Sequence, residues 1–483
     1  MTEGGNEPGE LMIRVVVPCL VCAVVAFPVM GQQAASLDED VRPYVAVGES
    51  VVALTGVRLI DGTGTGPVDG QTVLIEDGRI SMVGSTASVQ VPASARVIDL
   101  TGHTVMPGIV GMHNHTYFGT SGRSVQLQFS APRLYLGSGV TTIRTAGGTW
   151  TYQDINMKRG IESGAIPGPR MHLTSPYLDG PEGSSSHVAL STPEAARRFV
   201  EYWTGEGVTW FKAYTDVAPD VLGEAIKAAH ENGARFTGHL CSVSYKEAVA
   251  LGIDNLEHGF IASSDFLRDR TPGRCPANSY GRLATDPIDS ATIAKEAKGI
   301  AATGVPMTST LSVVEGLIPD RMQLDARARA AFAPGALAEV ESLQKALGAE
   351  GGAVWSELLR RAQHFELEFV RAGGILGAGV DPTGSGATLP GFGDQRNFEL
   401  LVEAGFSAVE AIRILTLNGA IILSEDEHIG SIEPGKLADL VVLEGDPVTD
   451  PTRIRNVRLV FKDGVGYDAP KLISAVKGQV GIR

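Results

Sequence analysis

The hydrophobic pattern of the chain changes its period twice. Between residues 48 and 103, short runs of β-branched and apolar residues are separated by glycines, which is typical of β-strands joined by tight turns. Asp77-Gly78 lies between two of these runs and predicts a β-hairpin. After residue 424 the same pattern returns. The runs that we interpret as strands are residues 51–54, 57–60, 72–75, 80–83, 429–432, 440–443 and 458–461.

Between residues 104 and 423, short apolar runs alternate with segments of helical period. Thr192-Pro193 predicts the start of one helix, and Gly233 and Gly304 predict the ends of two others. Residues 324–372 predict two further helices, which either cover the domain or form a lid over it. The eight predicted strands are residues 104–110, 140–144, 170–174, 208–214, 235–240, 255–257, 305–310 and 374–380.

Eight strands with helices between most of them favour an α/β fold of the (β/α)8 TIM barrel type over residues 104–423. A doubly wound open sheet is the alternative, but no Gly-x-Gly-x-x-Gly motif follows the first strand. The strands at the two chain ends, within residues 48–103 and 424–483, are expected to pair into one small β-sandwich domain.

Residues 1–36 predict a targeting segment. Met12-Ile13-Arg14 supplies a positive start, and an apolar run over residues 15–27 precedes polar Gln32-Gln33. This arrangement is typical of a secretory signal peptide, with an uncleaved N-terminal anchor as the alternative. The run is too short for a stable membrane span. We therefore expect a periplasmic or secreted protein.

Composition narrows the possible partners. The chain has 483 residues, of which 43% are hydrophobic and 20% charged, as in ordinary globular proteins. Its formal net charge of −15 argues against a nucleic-acid partner, because phosphate binding needs a basic surface. Only Cys241 and Cys275 lie outside the N-terminal apolar segment, and the sequence alone does not decide whether they pair.

Six polar residues stand at or just beyond the C-terminal ends of five predicted strands. In a TIM barrel these ends form the catalytic face. Two histidines separated by one residue in an extended segment point the same way, as two ligands of one metal ion must. The pattern therefore predicts a metal site. The candidate ligands are His113, His115, Lys212, His239, His258 and Asp381.

Candidates for substrate contact lie in the loops around the same face. His187 follows the third strand in a serine-rich loop, and Tyr117 follows the first. Tyr214 lies two residues after Lys212 and so points the same way, either to donate to the reacting oxygen or to pack under the rim. Phe118, Leu311 and the glycine-rich residues 384–386 are further candidates for specificity.

Taken together, these motifs resemble the amidohydrolase superfamily. The chain ends resemble it too, in LIDG at residues 59–62, IEDGRI at 75–80 and IEPGKLADLVV at 432–442. The Phe211-Lys212 pair resembles the motif of one branch of this superfamily. That branch contains imidazolonepropionase-like hydrolases, zinc-dependent Xaa-Pro dipeptidases and ochratoxinase-type amidases. The sequence departs from the expected pattern where Thr145, not aspartate, follows Arg144. This departure removes an expected carboxylate from the surroundings of the metal.

The resemblance implies a cofactor and a mechanism. His113, His115 and Asp381 would hold one divalent metal ion, and His239 and His258 a second. Zinc is the default for such ligands. Carbamylated Lys212, formed with CO2, and a hydroxide would bridge two metals. Asp381 would act as general base and then general acid, and Tyr214 would donate to the oxyanion.

The implied function is hydrolysis of the amide bond of a small substrate. N-acyl amino acids, Xaa-Pro dipeptides and ochratoxin-like amides are the substrate classes expected from the branch. Ring opening of a cyclic amide or imidazolone is the enzymatic alternative, which Lys212 disfavours because imidazolonepropionases lack the bridging lysine. A non-catalytic scaffold is the alternative of another class. The resemblance also implies a homo-oligomer.

Overall fold

The computed structural model describes residues 1–2, 34–120, 123–319, 321, 324–383 and 387–481. The predicted leader, residues 1–36, lies almost wholly outside the described residues and stays a prediction, as does the candidate specificity loop 384–386. Within the described ranges, no helix is both long enough and apolar enough to cross a membrane.

Eight parallel strands close into a barrel. Strands that are neighbours along the chain pair in parallel, and the eighth pairs with the first. A bridge from Thr174 to Trp210 joins the third strand to the fourth. The closed sheet confirms the predicted TIM barrel and excludes the doubly wound alternative. Numbered in chain order, the barrel strands are Ile109–Asn114, Val140–Thr145, Arg170–His172, Trp210–Ala213, Arg235–Gly238, Asn255–Glu257, Met307–Ser309 and Leu376–Ala378.

The first predicted barrel strand, residues 104–110, is wrong in its bounds. Residues His103–Pro107 pair with Leu440–Glu444 in another sheet, and the barrel strand begins only at Ile109. Gly108 separates the two strands. Both are almost fully buried. A continuous apolar run therefore carries no sign of where the chain leaves one sheet for the other.

The two ends of the chain share one nine-stranded sheet with its own apolar cluster. The Asp77-Gly78 hairpin is confirmed, with both residues at positive φ. The runs 51–54 and 57–60 fall in one strand, which ends at Leu59, and residues 429–432 form none. Residues 31–483 make up one compact unit, so the separate β-sandwich domain stays a prediction. The strands are Val45–Val47, Val51–Leu59, Val68–Glu76, Arg79–Ser85, Arg96–Asp99, His103–Pro107, Leu440–Glu444, Val457–Lys462 and Val465–Asp468.

Helices surround the barrel much as the sequence predicts. Thr192 caps its helix by accepting a hydrogen bond from the amide of Ala195. In the long helix Pro334–Arg371, Gly348 has a non-helical φ of 60°, which divides the helix into two. The helices are Ser130–Gly137, Thr151–Glu162, Pro193–Gly205, Pro219–Glu231, Tyr245–Ala250, Ser279–Thr285, Ser290–Ala301, Leu311–Glu315, Ala326–Ala331, Pro334–Arg371, Phe392–Glu403, Ala408–Leu415, Leu417–Leu423 and Ala469–Ala475.

A disulfide joins Cys241 to Cys275. Cys241 lies two residues after His239, and Cys275 lies four residues before the helix Ser279–Thr285. The sequence alone did not decide whether these two cysteines pair, and the structure shows that they do. The disulfide also ties the segment after the fifth barrel strand to the segment that leads into this helix.

Candidate metal centre and substrate cavity

The structure brings all six predicted ligands to one end of the barrel. His113 and Lys212 lie on the first and fourth strands, while His115 and Asp381 follow the first and eighth. The remaining pair, His239 and His258, comes directly after the fifth and sixth strands. Their side chains converge because the strands are parallel and the barrel is closed.

One group of ligands is especially tight. Nε2 of His115 lies 3.2 Å from Oδ1 of Asp381, and Nε2 of His113 lies 3.6 Å from the same oxygen. One ligand atom from each of the three residues falls within 4.8 Å of the others. The Nζ of Lys212 lies 3.0 Å from Nε2 of His113. The fourth strand therefore delivers its lysine to the same point as these three residues.

His258 and His239 lie beside this group. The ring of His258 stands 4.4 Å from that of His113 and 4.3 Å from that of His239, measured between centroids. Nδ1 of His258 hydrogen-bonds to Oγ1 of Thr310 at 2.7 Å, which leaves its Nε2 for another partner. Nε2 of His239 hydrogen-bonds to the hydroxyl of Tyr280 at 3.0 Å.

Two orphaned nitrogens show that this donor set fits a metal ion. Nε2 of His115 and Nε2 of His258 are buried without a hydrogen-bond partner among the described residues. Buried polar atoms are rarely left unpaired, because losing water without a replacement costs free energy. The Nδ1 of His115 donates to the carbonyl of Gly147 at 2.9 Å, so its Nε2 carries the lone pair. Neutral imidazoles and a carboxylate are ligands that suit zinc.

Burial keeps the histidines in the ligand form. Desolvation lowers the pKa of His115 to about 4 and that of His239 to about 3. It also lowers the pKa of Lys212 to about 8. Burial alone would raise the pKa of Asp381, but His113 and His115 hold it well below its ordinary range. His115 and His239 are therefore neutral imidazoles at neutral pH, the form that binds a metal ion.

Two candidate ligands adopt a backbone conformation that side chains rarely take. The φ of His258 is 67° and that of Asp381 is 51°, both in the left-handed region. Such conformations cost free energy and tend to occur at functional sites.

Glu257 is a functional residue that the sequence analysis missed. It is fully buried inside the barrel and accepts a hydrogen bond from Nδ1 of His113 at 2.7 Å. Arg144, Thr237 and Asn255 also donate to it. A carboxylate behind a ligating histidine fixes its tautomer and orientation. The sequence signal was available, since Glu257 directly precedes His258 on the sixth strand.

A buried carboxylate does lie next to the departure at position 145. Arg144 extends into the barrel to pair with Glu257. Thr145 instead bonds to the neighbouring segment, where its hydroxyl accepts from the amide of Thr174 at 2.8 Å. The surroundings of His113 thus keep a carboxylate, but from another strand.

A cavity of about 510 Å³ opens above the centre. Tyr117, His187 and Tyr214 line it as predicted, and their roles in substrate binding stay predictions. Nδ1 of His187 donates to Asp179 at 2.8 Å, and the ring packs 4.4 Å from that of Tyr214. The hydroxyl of Tyr117 hydrogen-bonds to that of Tyr177 at 2.6 Å.

Other cavity residues differ from the candidates in the sequence. Phe118 and Leu311 are buried in the core and do not line the cavity, because Phe118 turns away to pack against Phe332. Tyr280 and Trp355 do line it, although the sequence analysis missed both. Each lies in a segment far along the chain from the predicted ligands, so local motifs did not indicate them.

Comparison with known proteins identifies the family to which this fold and this site belong. A model of the amidohydrolase family matches residues 104–466, and the chain belongs to that family. It is 24% identical over 397 residues to an imidazolonepropionase of Porphyromonas gingivalis, covering 77% of this chain and 82% of that protein.

Solved structures share the fold. A protein from Bifidobacterium longum, provisionally described as a prolidase, matches with a TM-score of 0.66 at 24% identity, covering 88% of this chain and 99% of its own. The A. niger ochratoxinase matches with a TM-score of 0.61 at 17% identity, over 86% and 95% of the two chains.

Proposed function

We propose that this protein is a metal-dependent amidohydrolase that cleaves the amide bond of a small substrate. The observation that carries this proposal is the convergence of His113, His115 and Asp381. Lys212 lies beside them, and two buried imidazole nitrogens have no hydrogen-bond partner in the part of the chain that the structure describes. A structural cluster would satisfy these nitrogens internally. A centre that binds a cation leaves them free for it.

The residues divide into two ligand groups. His113, His115 and Asp381 would hold one divalent ion, and His239 and His258 a second, with zinc as the expected metal. Lys212 would join the two groups as a carbamate, formed when its neutral amine adds CO2 and releases a proton. Its Nζ is suitably placed, 3.0 Å from Nε2 of His113. The bound ions would supply an activated water and polarise the substrate carbonyl.

The surrounding side chains then handle protons and orientation. Asp381 accepts the proton of the attacking water and passes it to the leaving nitrogen. Tyr214 donates a hydrogen bond to the oxygen on which negative charge develops. His187, held in place by Asp179, and Tyr117 bind the polar end of the substrate. Expected substrates are N-acyl amino acids, Xaa-Pro dipeptides and ochratoxin-like amides.

A mixed substrate panel tests this function. The zinc-supplemented protein is incubated with N-acyl aromatic amino acids, Xaa-Pro dipeptides, ochratoxin A and imidazolonepropionate, and mass spectrometry identifies the products. We expect cleavage of at least one acyclic amide, lost with Asp381→Asn and after removal of metal by a chelator. No turnover of any amide, together with opening of the imidazolone, would overturn the proposal.

Ring opening of an imidazolone is the second candidate, and the similarity to the Porphyromonas gingivalis imidazolonepropionase favours it. The same panel separates the two reactions. The metal content of the purified protein distinguishes a non-catalytic scaffold from an enzyme. A protein purified without chelators should carry about two metal ions per chain if our proposal holds, and none if the site only stabilises the fold.

We also propose that the protein works outside the cytoplasm and forms homo-oligomers. The Cys241–Cys275 disulfide supports an oxidising compartment, such as the periplasm or the medium, because intracellular thiols are usually kept reduced. The net charge of −15 supports a small-molecule substrate over nucleic acid. N-terminal sequencing of the exported protein and light scattering after gel filtration test these two expectations.

A further inference from the structure

The cavity above the metal centre has two walls of different chemistry. One wall comes from the segments that follow the first four barrel strands and carries hydroxyl groups and an imidazole. In a closed barrel of eight strands, the segments after the sixth and seventh strands lie across from these. The residues of the polar wall are Tyr117, Thr149, Ser186, His187 and Tyr214.

The opposite wall is apolar. It comes from the segments that follow the sixth and seventh barrel strands, together with one side chain of the long helix Pro334–Arg371. Its only hydroxyl among the described lining residues is that of Tyr280, which already hydrogen-bonds to His239 at 3.0 Å. The residues of this apolar wall are Ile261, Tyr280, Val313, Val314, Leu317 and Trp355.

Trp355 and Tyr280 form the aromatic part of this wall. Their ring centroids lie 5.2 Å apart. The helices that carry them are tied together, because Nη1 of Arg361 donates to the carbonyl of Leu283 at 2.7 Å. Because Gly352 has no side chain, the long helix approaches Pro319 closely; a Cβ at Gly352 would lie 3.0 Å from Cδ of Pro319. The wall is therefore held in place before a substrate binds.

We propose that the apolar wall binds a large apolar acyl group and that Trp355 determines this specificity. This inference rests on the proposed amide hydrolysis. A carboxylate against the apolar wall would lose water without gaining hydrogen bonds, so the polar leaving group faces the polar wall. The acyl group then faces Trp355, where contact with its aromatic surface is favourable. The substrates are amides of an aromatic or branched acyl group with an amino acid.

A matched series of acyl groups tests the proposal. The probes are the N-acetyl, N-isovaleryl and N-(3-phenylpropanoyl) derivatives of L-proline and of L-phenylalanine. With the wild-type enzyme, we expect kcat/KM to rise at least about tenfold from the acetyl to the 3-phenylpropanoyl compounds. Trp355→Ala should remove most of this increase. Trp355→Phe should keep most of it.

Trp203→Ala is the control for loss of a tryptophan ring. Trp203 packs against Tyr152, Phe199 and Tyr202 on the outside of the barrel and does not line the cavity. We expect it to leave the ratio between acyl groups unchanged. If Trp355→Ala does not fold, Leu317→Ala tests the same wall and should reduce the same ratio.

The outcomes separate the inference from the function on which it rests. Amide hydrolysis with equal kcat/KM for all acyl groups overturns the apolar subsite and leaves the function standing. If no amide is cleaved, calorimetric titration of the zinc-loaded protein with 3-phenylpropanoate and acetate still tests the subsite. We expect at least tenfold tighter binding of 3-phenylpropanoate, weakened by Trp355→Ala, and equal affinities overturn the subsite.

Discussion

Glu257 and Glu366 are both fully buried glutamates, yet their surroundings differ. Glu257 accepts hydrogen bonds from Arg144, Asn255 and His113. Burial alone would raise its pKa, but Arg144 and His113 hold that pKa well below the ordinary range. Glu366 lies behind the barrel strands, where burial raises its pKa to about 8. One carboxyl group is therefore ionised and orients a candidate ligand, whereas the other is kept neutral.

Replacement of Glu257 by glutamine should weaken metal binding. The amide no longer accepts from Nδ1 of His113 as a carboxylate does, so the orientation and basicity of the ring are less well maintained. We expect a fall in zinc affinity of about 10–100-fold, measured by competition with a chromophoric chelator. Glu366→Gln, a matched change at another buried glutamate, should leave the affinity unchanged. Equal affinity in both variants would contradict a positioning role for Glu257.

Glu366 should make stability depend on pH. Its pKa is about 8 in the folded protein, against an ordinary value of 4.5, so between these values the folded state holds a proton that the unfolded state releases. Its contribution to the free energy of unfolding therefore falls as pH rises from about 4.5 to about 8. Relative to wild type, Glu366→Gln should gain about 2–4 kcal/mol between pH 5 and pH 9, measured by urea unfolding. A pH-independent difference would contradict this.

At the scale of elements, most strands and helices of the barrel were predictable because each is amphipathic or continuously apolar and ends at glycine, proline or a cap. The errors have a common cause. The run 104–110 spans two buried strands, and residues 429–432 are buried without pairing as a strand. Their burial comes from packing against other elements, as where the amide of Ile432 donates to the carbonyl of Asp61. The tertiary structure is therefore needed to distinguish residues that are merely buried from residues that pair in a strand.

The disulfide should stabilise the segments that frame the cavity. Cys241 and Cys275 are 34 residues apart, and the bond restricts that loop in the unfolded chain. Replacing both cysteines by alanine should lower the free energy of unfolding by about 2–4 kcal/mol, measured by thermal and urea unfolding. Addition of a reducing agent should destabilise the wild type to a similar extent and leave the variant unchanged. A wild type that does not respond to reduction would contradict the prediction.

At the scale of the whole molecule, Arg170 connects the barrel to the nine-stranded sheet. From the third barrel strand, its Nη1 pairs with Asp439 at 2.8 Å and its Nη2 pairs with Asp463. Both carboxylates are largely buried. Arg170→Met would leave Asp439 without this charge partner in a buried position, at a cost of about 3–5 kcal/mol in urea unfolding. Arg96→Met removes an exposed pair with Glu49 and should cost less than about 1 kcal/mol. Similar losses in the two variants would contradict a linking role for Arg170.

The barrel, the six candidate ligands and the family were predictable from the amino-acid sequence alone. Strand periodicity and the residues that follow each strand are local properties, and a parallel barrel necessarily brings its strand ends together. Three contacts became evident only in the folded chain: Glu257 hydrogen-bonds to His113, Cys241 pairs with Cys275, and Trp355 lines the cavity. These contacts join residues far apart in the chain, and their geometry depends on how helices and strands pack rather than on any local pattern.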